Sequence, residues 1–419
     1  MNLTFLGEAR FDSPLQRVVS ERARIPAQIV NDPSAPAPPE LWFELAGPRA
    51  KLFFDPRRTR AAIVTCGGLS PGMNNVIRSL FLQLHHCYGV PEVLGFRGGY
   101  QGLDPARGVE PLVLNAELVD DIHREGGTML GTSRGPVNVP AAVENLIRLK
   151  IDILFTIGGD GTHRGGHELF DEARRRGHPL SVVGVPKTID NDIPYVSRTF
   201  GYLTAIEEAA KVLDCAHTEC HSVHNGISLV KLMGREAGFI AAGATIASQD
   251  VNFTLIPEVP FKLEGPGGFL AALKKRVLKR RHAVVVVAEG AGQGLLESGE
   301  ERDASGNLKL KDIGVFLRQR IEADFKSENI PFHLRYFDPS YLIRSVPADA
   351  EDAILCDLYA RNAVHAAMAG RTGVVIGLLH DKFILVPVDL LEGKRKRLDP
   401  SGLLWQSVLA ATGQPARFE

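Results

Sequence analysis

The sequence predicts an α/β protein built as two doubly wound (Rossmann-like) lobes with mainly parallel sheets, plus an N-terminal extension. Three observations carry this expectation. The chain has 419 residues, enough for two α/β cores rather than one. Short β-branched runs recur at Ala61–Thr65, Ile151–Ile157, Leu180–Val185, Ser228–Leu232, Ala283–Ala288 and Gly373–Leu378. Unbroken apolar runs of this kind mark strands buried on both faces. Helix-like segments lie between them and several runs end in glycine-rich turns, the alternation that places a cleft at the C-terminal ends of parallel strands.

Along the chain, residues 1–60 lack this regularity. Pro33 to Glu40 (PSAPAPPE) forms a proline-rich linker that suits neither helix nor central strand, and Leu41–Leu45 and Leu52–Phe54 offer apolar anchors beyond it. Residues 1–60 therefore read as an extension packed over the core. The first lobe spans 61–205 and the second 206–345, with 346–419 packing back across both. In the first helix, Pro71 to Leu84, the residues Val76, Ile77, Leu80, Phe81 and Leu84 share one stripe. Pro71 suits its first turn.

Charge is balanced, 48 Lys+Arg against 49 Asp+Glu, so no global field marks nucleic acid or a membrane as partner. Five cysteines without metal-ligand spacing point to free thiols in a reducing compartment. No apolar run approaches a membrane span, no signal peptide opens at Met1, and Phe418-Glu419 ends no receptor-read address. A cytoplasmic protein is expected.

Three turns carry chemistry. Cys66-Gly67-Gly68-Leu69-Ser70-Pro71-Gly72-Met73-Asn74 follows the first strand, and its paired glycines let backbone N–H groups approach a phosphate at a helix start. A tight strand-to-helix turn would explain the same glycines. Gly158-Gly159-Asp160-Gly161-Thr162 is more specific, because a mere turn rarely needs three glycines around one acid; the acid can hold Mg²⁺ between phosphates. Lys187-Thr188-Ile189-Asp190-Asn191-Asp192 sets two carboxylates two residues apart, which in extended backbone face the same way. One can hold a metal and the other accept a hydroxyl proton, although a polar turn ending a strand reads the same way.

Taken in order, CGGLSPGMN, LGTSRG at Leu130–Gly135, GGDGT, PKTIDND and Met233-Gly234-Arg235 resemble the 6-phosphofructokinase family. Lipid and NAD kinases share the GGDGT-type turn but lack TIDND and MGR. The resemblance runs from about Arg60 to Pro415. It implies Mg²⁺-assisted, in-line transfer of a phosphoryl group to the 1-hydroxyl of fructose 6-phosphate, giving the 1,6-bisphosphate of glycolysis. It also implies a homotetramer or homodimer, in a family that often binds allosteric effectors between subunits.

By matching motifs, the resemblance assigns Asp190 as the base, Thr188 to the transferring phosphoryl group, and Asp160 and Asp192 to the metal. Gly68, Arg134, Gly135, Gly159, Asp160, Gly161 and Thr162 line the donor in the first lobe. Arg235 stabilises the moving charge, with Lys187 beside it. The sugar phosphate falls to Thr188, Ile189, Asp190, Met233, Gly234, Arg235, Glu289, Arg335, Tyr341, Leu342, Ile343 and Arg344, the two later arginines suiting the 6-phosphate. Tyr341 stands where bacterial members carry histidine. Gly226 stands where they carry an arginine that reaches a neighbouring subunit's substrate.

The family divides between ATP and pyrophosphate as donor, and the markers here are mixed. Pyrophosphate users carry aspartate at the position of Gly161 and lysine at that of Lys187. An added carboxylate ~4 Å from the nucleotide α-phosphate costs about 4 kcal/mol at an effective dielectric of ~20, so Gly161 favours ATP. The pyrophosphate-dependent reaction is the alternative, and a catalytically silent regulatory subunit a weaker one, since Asp160, Asp190, Asp192 and Arg235 are all present. The basic run Lys274–Arg281 reads first as a solvated helix face and second as a site for an effector phosphate or acidic partner; Lys394–Arg397 reads alike. His85 and His86 read as exposed, and Trp42 and Trp405 as packing anchors.

Overall fold

The computed structural model describes residues 3–30, 40–107, 109–296, 301–302 and 309–419. Most of the proline-rich stretch 33–40 lies outside the described residues. The chain divides into two compact units. One comprises Met1–Thr188, Ile193–Gly201 and Ser345–Lys394; the other comprises Ile189–Asp192, Tyr202–Arg344 and Arg395–Glu419.

The first unit is organised on a nine-stranded sheet in the order Arg24–Pro26, Trp42–Leu45, Lys382–Pro387, Val374–Leu379, Ser181–Pro186, Ile153–Gly158, Arg60–Thr65, Glu92–Phe96, Leu112–Val113. The five strands from Val374–Leu379 to Glu92–Phe96 are parallel and the outer ones antiparallel. Every residue of Ile153–Gly158 and Ser181–Pro186 is buried, as apolar runs covered on both faces require. From Arg60–Thr65 the chain continues to one side of the sheet, and from Ile153–Gly158 to the other. Their C-terminal ends therefore form a topological switch point, the place where open α/β sheets bind ligands.

The second unit holds a four-stranded, wholly parallel sheet in the order Phe253–Leu255, His282–Ala288, Gly226–Leu232, His333–Phe337. After Gly226–Leu232 the chain crosses to Phe253–Leu255 and after His282–Ala288 to His333–Phe337, at opposite edges of the sheet, giving a second switch point. The valines of His282–Ala288 are fully buried, with Leu213, Phe269 and Phe325 in the same core.

The division differs from the expected segments. Residues 1–60 do more than pack over a core: Arg24–Pro26 and Trp42–Leu45 extend the first sheet, and Phe43 and Leu52 are fully buried. Strand alternation turns Phe43 inward and leaves Trp42 49% exposed, so Trp42 is no anchor, whereas Trp405 is buried. The stretch 346–419 is split, because Val374–Leu379 and Lys382–Pro387 complete the first sheet while Trp405, Val408 and Phe418 belong to the second core. The first helix runs Met73–Leu82 with Gly72 at its cap, so Pro71 precedes the helix; its five stripe residues are all buried. The helix continues as a π-helical stretch, Gln83–Tyr88, on which His85 and His86 are exposed.

That stretch ends at a buried polar pair: the Tyr88 hydroxyl and His365 Nδ1 lie 2.8 Å apart. Burial pushes the His365 imidazole down to about 4, and Arg361 and Arg49 act in the same direction. The folded state thus binds this proton more weakly than the unfolded chain, so its contribution to stability is present above pH ~6.5 and is lost as pH falls towards 4. Between pH 7 and pH 5 the loss amounts to about 2 kcal/mol. Urea unfolding at the two pH values checks this: His365→Gln should show a correspondingly smaller acid loss than wild type, and equal losses would refute it.

Candidate active site

At the first unit's switch point the backbone stitches three turns together. Cys66 donates its N–H to Ile157 O at 2.9 Å, and Lys187 donates its N–H to Gly158 O at 2.9 Å. Gly67 donates to Ser133 O at 3.0 Å, and the Thr132 hydroxyl donates to Gly67 O at 2.8 Å. The LGTSRG loop, the first glycine turn and the GGDGT turn are therefore one construction. Gly67 has φ +83°, a conformation in which glycine is at ease. Lys187 is buried, and its ammonium donates to Gly68 O, which puts a fixed positive charge at the paired glycines.

Gly159 caps the helix Asp160–Arg175, and Asp160 and Gly161 open it. A Cβ on Gly161 would meet nothing within 4 Å. Arg134 and Gly135 are exposed on the adjoining loop. Thr162 departs from expectation: it is buried, and its hydroxyl fills the space a Cβ on Gly158 would take, so its side chain packs inward. The structure thus brings together Gly68, Gly159, Asp160, Gly161 and Lys187 as an open, basic, glycine-lined edge suited to phosphates.

At the second unit's switch point the turn Met233–Arg235 follows Gly226–Leu232, and Glu289 follows His282–Ala288. Glu289 donates its N–H to Leu232 O at 2.9 Å and Gly290 donates to Gly234 O at 3.1 Å. A Cβ on Gly290 would lie 1.9 Å from Arg235 O, so only glycine lets the two turns meet. Burial pushes the Glu289 carboxyl up, against the pull of Arg235, Lys231 and Arg344. A half-buried acid ringed by cations at a strand end is suited to sugar hydroxyls.

Other expected sugar-phosphate residues fall differently. The Arg344 guanidinium stacks on the Tyr341 ring at 4.8 Å, and Tyr341 and Leu342 are exposed. Ile189 and Ile343 are buried in the second core, so their side chains pack and only their backbone can face a ligand. Arg335 pairs in register with Ser228, well before the strand end at Leu232, and lies exposed beside Glu219. Gly226 admits no side chain at all, because a Cβ there would be 2.0 Å from Cys220 O.

The TIDND turn corrects two expectations. Its backbone is not extended: Asn191 has φ +54°, so the alternation that would align Asp190 with Asp192 is broken between them. Asp192 is buried, and Arg395 Nη1 donates to its Oδ2 at 2.7 Å. Its charge is answered by a guanidinium, which suits an anchor better than a metal ligand. In Lys394–Arg397, Lys394, Arg395 and Arg397 are exposed, as a solvated run would be, but Arg395 is also tied to Asp192 and Lys396 is partly buried. Lys396 donates its N–H to Asp192 O at 2.8 Å, and its ammonium lies 5.1 Å from the Phe239 ring. Burial pushes that ammonium down to about 7. In Lys274–Arg281, Lys274 pairs with Asp324 and Glu328, Arg276 is partly buried, Val277 is fully buried, and Lys275, Leu278, Lys279, Arg280 and Arg281 face solvent. No sequence signal separates the two basic runs, since what distinguishes them is the acid each meets in space.

Asp160 fits Mg²⁺. Its carboxylate is 24% exposed, lies 3.6 Å from Arg164 and is framed by glycines. Mg²⁺ keeps several waters and needs only one or two protein carboxylates when phosphates supply the rest. Among the described residues no three His, Cys, Asp or Glu side chains form a metal cluster. Asp160 would therefore hold the ion together with phosphate and water oxygens.

The phosphofructokinase family profile matches residues 60–367. The chain is 44% identical over 427 residues to the ATP-dependent 6-phosphofructokinase of Borreliella burgdorferi, covering 98% of this chain and 96% of that protein. It is also 44% identical over 439 residues to the ATP-dependent 6-phosphofructokinase of Amycolatopsis methanolica, covering 100% and 95%. A solved pyrophosphate-dependent phosphofructokinase from Marinobacter aquaeolei matches with a TM-score of 0.69 at 19% identity, over 84% of this chain and 91% of that one, and so supports the fold alone. Profile, relatives and the two glycine-framed switch points agree: this chain belongs to the phosphofructokinase family.

Proposed function

We propose that this chain is an ATP-dependent 6-phosphofructokinase that phosphorylates the 1-hydroxyl of fructose 6-phosphate in glycolysis. The observation that carries this is 44% identity across essentially the whole chain to proteins named for that reaction. The open space at Gly161 supports ATP as donor, since a nucleotide's α-phosphate needs that room.

In this reading the first unit binds the donor phosphates on the N–H groups of the glycine turns and on Lys187. Bound at Asp160, Mg²⁺ supplies charge neutralisation to the phosphates. Asp190 takes the proton of the attacking hydroxyl, and Thr188 hydrogen-bonds the transferring group. Arg235 meets the charge that develops on it. Met233 packs on the sugar, Glu289 binds its hydroxyls and Arg344 its 6-phosphate. The reading includes a cytoplasmic homodimer or homotetramer, with Arg335 as an exposed sugar-phosphate residue beside Glu219.

Lys187, a marker shared with pyrophosphate users, is compatible with either donor, which keeps pyrophosphate as the second reading. A coupled assay with each donor in parallel decides. Turnover with ATP and little with pyrophosphate is expected, and turnover with pyrophosphate alone would overturn the choice.

A further inference from the structure

The turn Ile189–Asp192 belongs to the second unit, although Thr188 and Ile193 on either side belong to the first. Two attachments hold it there. Ile189 is buried in the second core, and Asp192 is bound through its carboxylate by Arg395 and through its carbonyl by the Lys396 N–H. Between them stands Asp190, followed by the left-handed Asn191. The same short segment also grips the turn that carries Arg235. Arg397 pairs with Glu236 at 3.2 Å. Leu398 donates its N–H to Glu258 Oε1 at 2.8 Å, and that carboxylate also accepts the Gly238 N–H at 3.0 and 3.1 Å. Buried Leu398 and Trp405 fix the segment to the second core.

We infer that Arg395–Leu398 is a positioning strap for the phosphoryl-transfer residues: Arg395 holds the Asp190 turn through Asp192, and Arg397 and Leu398 hold the Arg235 turn through Glu236 and Glu258. The inference rests on the kinase reading above. Its physical basis is that a buried carboxylate needs a charged or hydrogen-bonding partner. Without Arg395, Asp192 must move towards water, and Asp190, two residues away on the same turn, moves with it. A displacement of about 1 Å in a reacting group costs on the order of 100-fold in rate. Binding of the sugar by Glu289 and Arg344 does not pass through this contact.

Steady-state kinetics of Arg395→Met, Asp192→Asn and the double variant test the strap in the full-length chain. Arg395→Met should lower kcat about 100-fold and leave KM for fructose 6-phosphate within about threefold. The double variant should be no slower than Arg395→Met, because the charge that Arg395 answers is gone. A merely stabilising role would lower the melting midpoint and leave kcat of the folded protein intact. The strap is overturned by a kcat for Arg395→Met within twofold of wild type, or by losses that multiply in the double variant. Should Arg395→Met fail to fold, Arg395→Lys decides: a loss of about tenfold in kcat supports the strap, and wild-type kcat overturns it. The two readings fail separately, since a wild-type chain inactive with both donors overturns the kinase, and an active one with an unaffected Arg395→Met overturns only the strap.

Discussion

Replacing Asp190 with asparagine is expected to lower kcat about a thousandfold while fructose 6-phosphate continues to bind. Asparagine has the shape of aspartate and can occupy the same turn, held by Ile189 in the core and by Asp192 on Arg395. It cannot accept the proton of an attacking hydroxyl. Loss of a positioned base typically costs 10²–10⁴-fold, and a thousandfold corresponds to about 4 kcal/mol of transition-state stabilisation. On the proposed reading the ground state is contacted mainly by Met233, Glu289 and Arg344, so KM and calorimetric affinity for the sugar phosphate should stay within a few-fold. Unchanged turnover would remove Asp190 from the mechanism. A rise in KM with kcat intact would make it a binding residue instead.

The parts of this structure legible in the sequence are those governed by burial and by backbone conformation. Parallel strands covered on both faces must be apolar throughout, so Ile153–Gly158, Ser181–Pro186 and His282–Ala288 stand out within a residue or two of their true bounds. Glycines at strand ends were informative because a side chain there would collide, as at Gly290, or would fill space that stays open, as at Gly161. The missing parts depend on long-range partners. Arg24–Pro26 and Trp42–Leu45 are strands of three and four residues that form only because Lys382–Pro387 lies beside Trp42–Leu45 and Trp42–Leu45 beside Arg24–Pro26. Motif matching located Ile343 and Thr162 in the right segments without indicating that their side chains turn inward. Asn191 broke the alternation assumed for the two aspartates, since asparagine tolerates the left-handed region at modest cost. Arg395 lies 203 residues from Asp192 in sequence, beyond the reach of any local pattern.

Donor choice is where fold says least and one residue says most. The chain shares its fold with a pyrophosphate-dependent enzyme, and its full-length 44% relatives are named ATP-dependent. Gly161→Asp isolates the determinant. The position opens a helix whose first turn already contains Asp160, and acidic residues are favoured there by the helix dipole. Nothing lies within 4 Å of the new Cβ, so the variant should fold and melt like wild type. Its carboxylate then projects into the open space that the proposed reading gives to the nucleotide α-phosphate. Repulsion of about 4 kcal/mol at ~4 Å translates to a fall of roughly a thousandfold in kcat/KM for ATP. KM for fructose 6-phosphate should hold, because the groups that bind the sugar are untouched. Pyrophosphate has no third phosphate beyond the transferred phosphoryl and the phosphate that leaves, so any turnover with it should survive, with Lys187 still at Gly68 O. Unchanged ATP kinetics in a folded Gly161→Asp variant would refute the steric and electrostatic account, and with it the reason for preferring ATP from this turn.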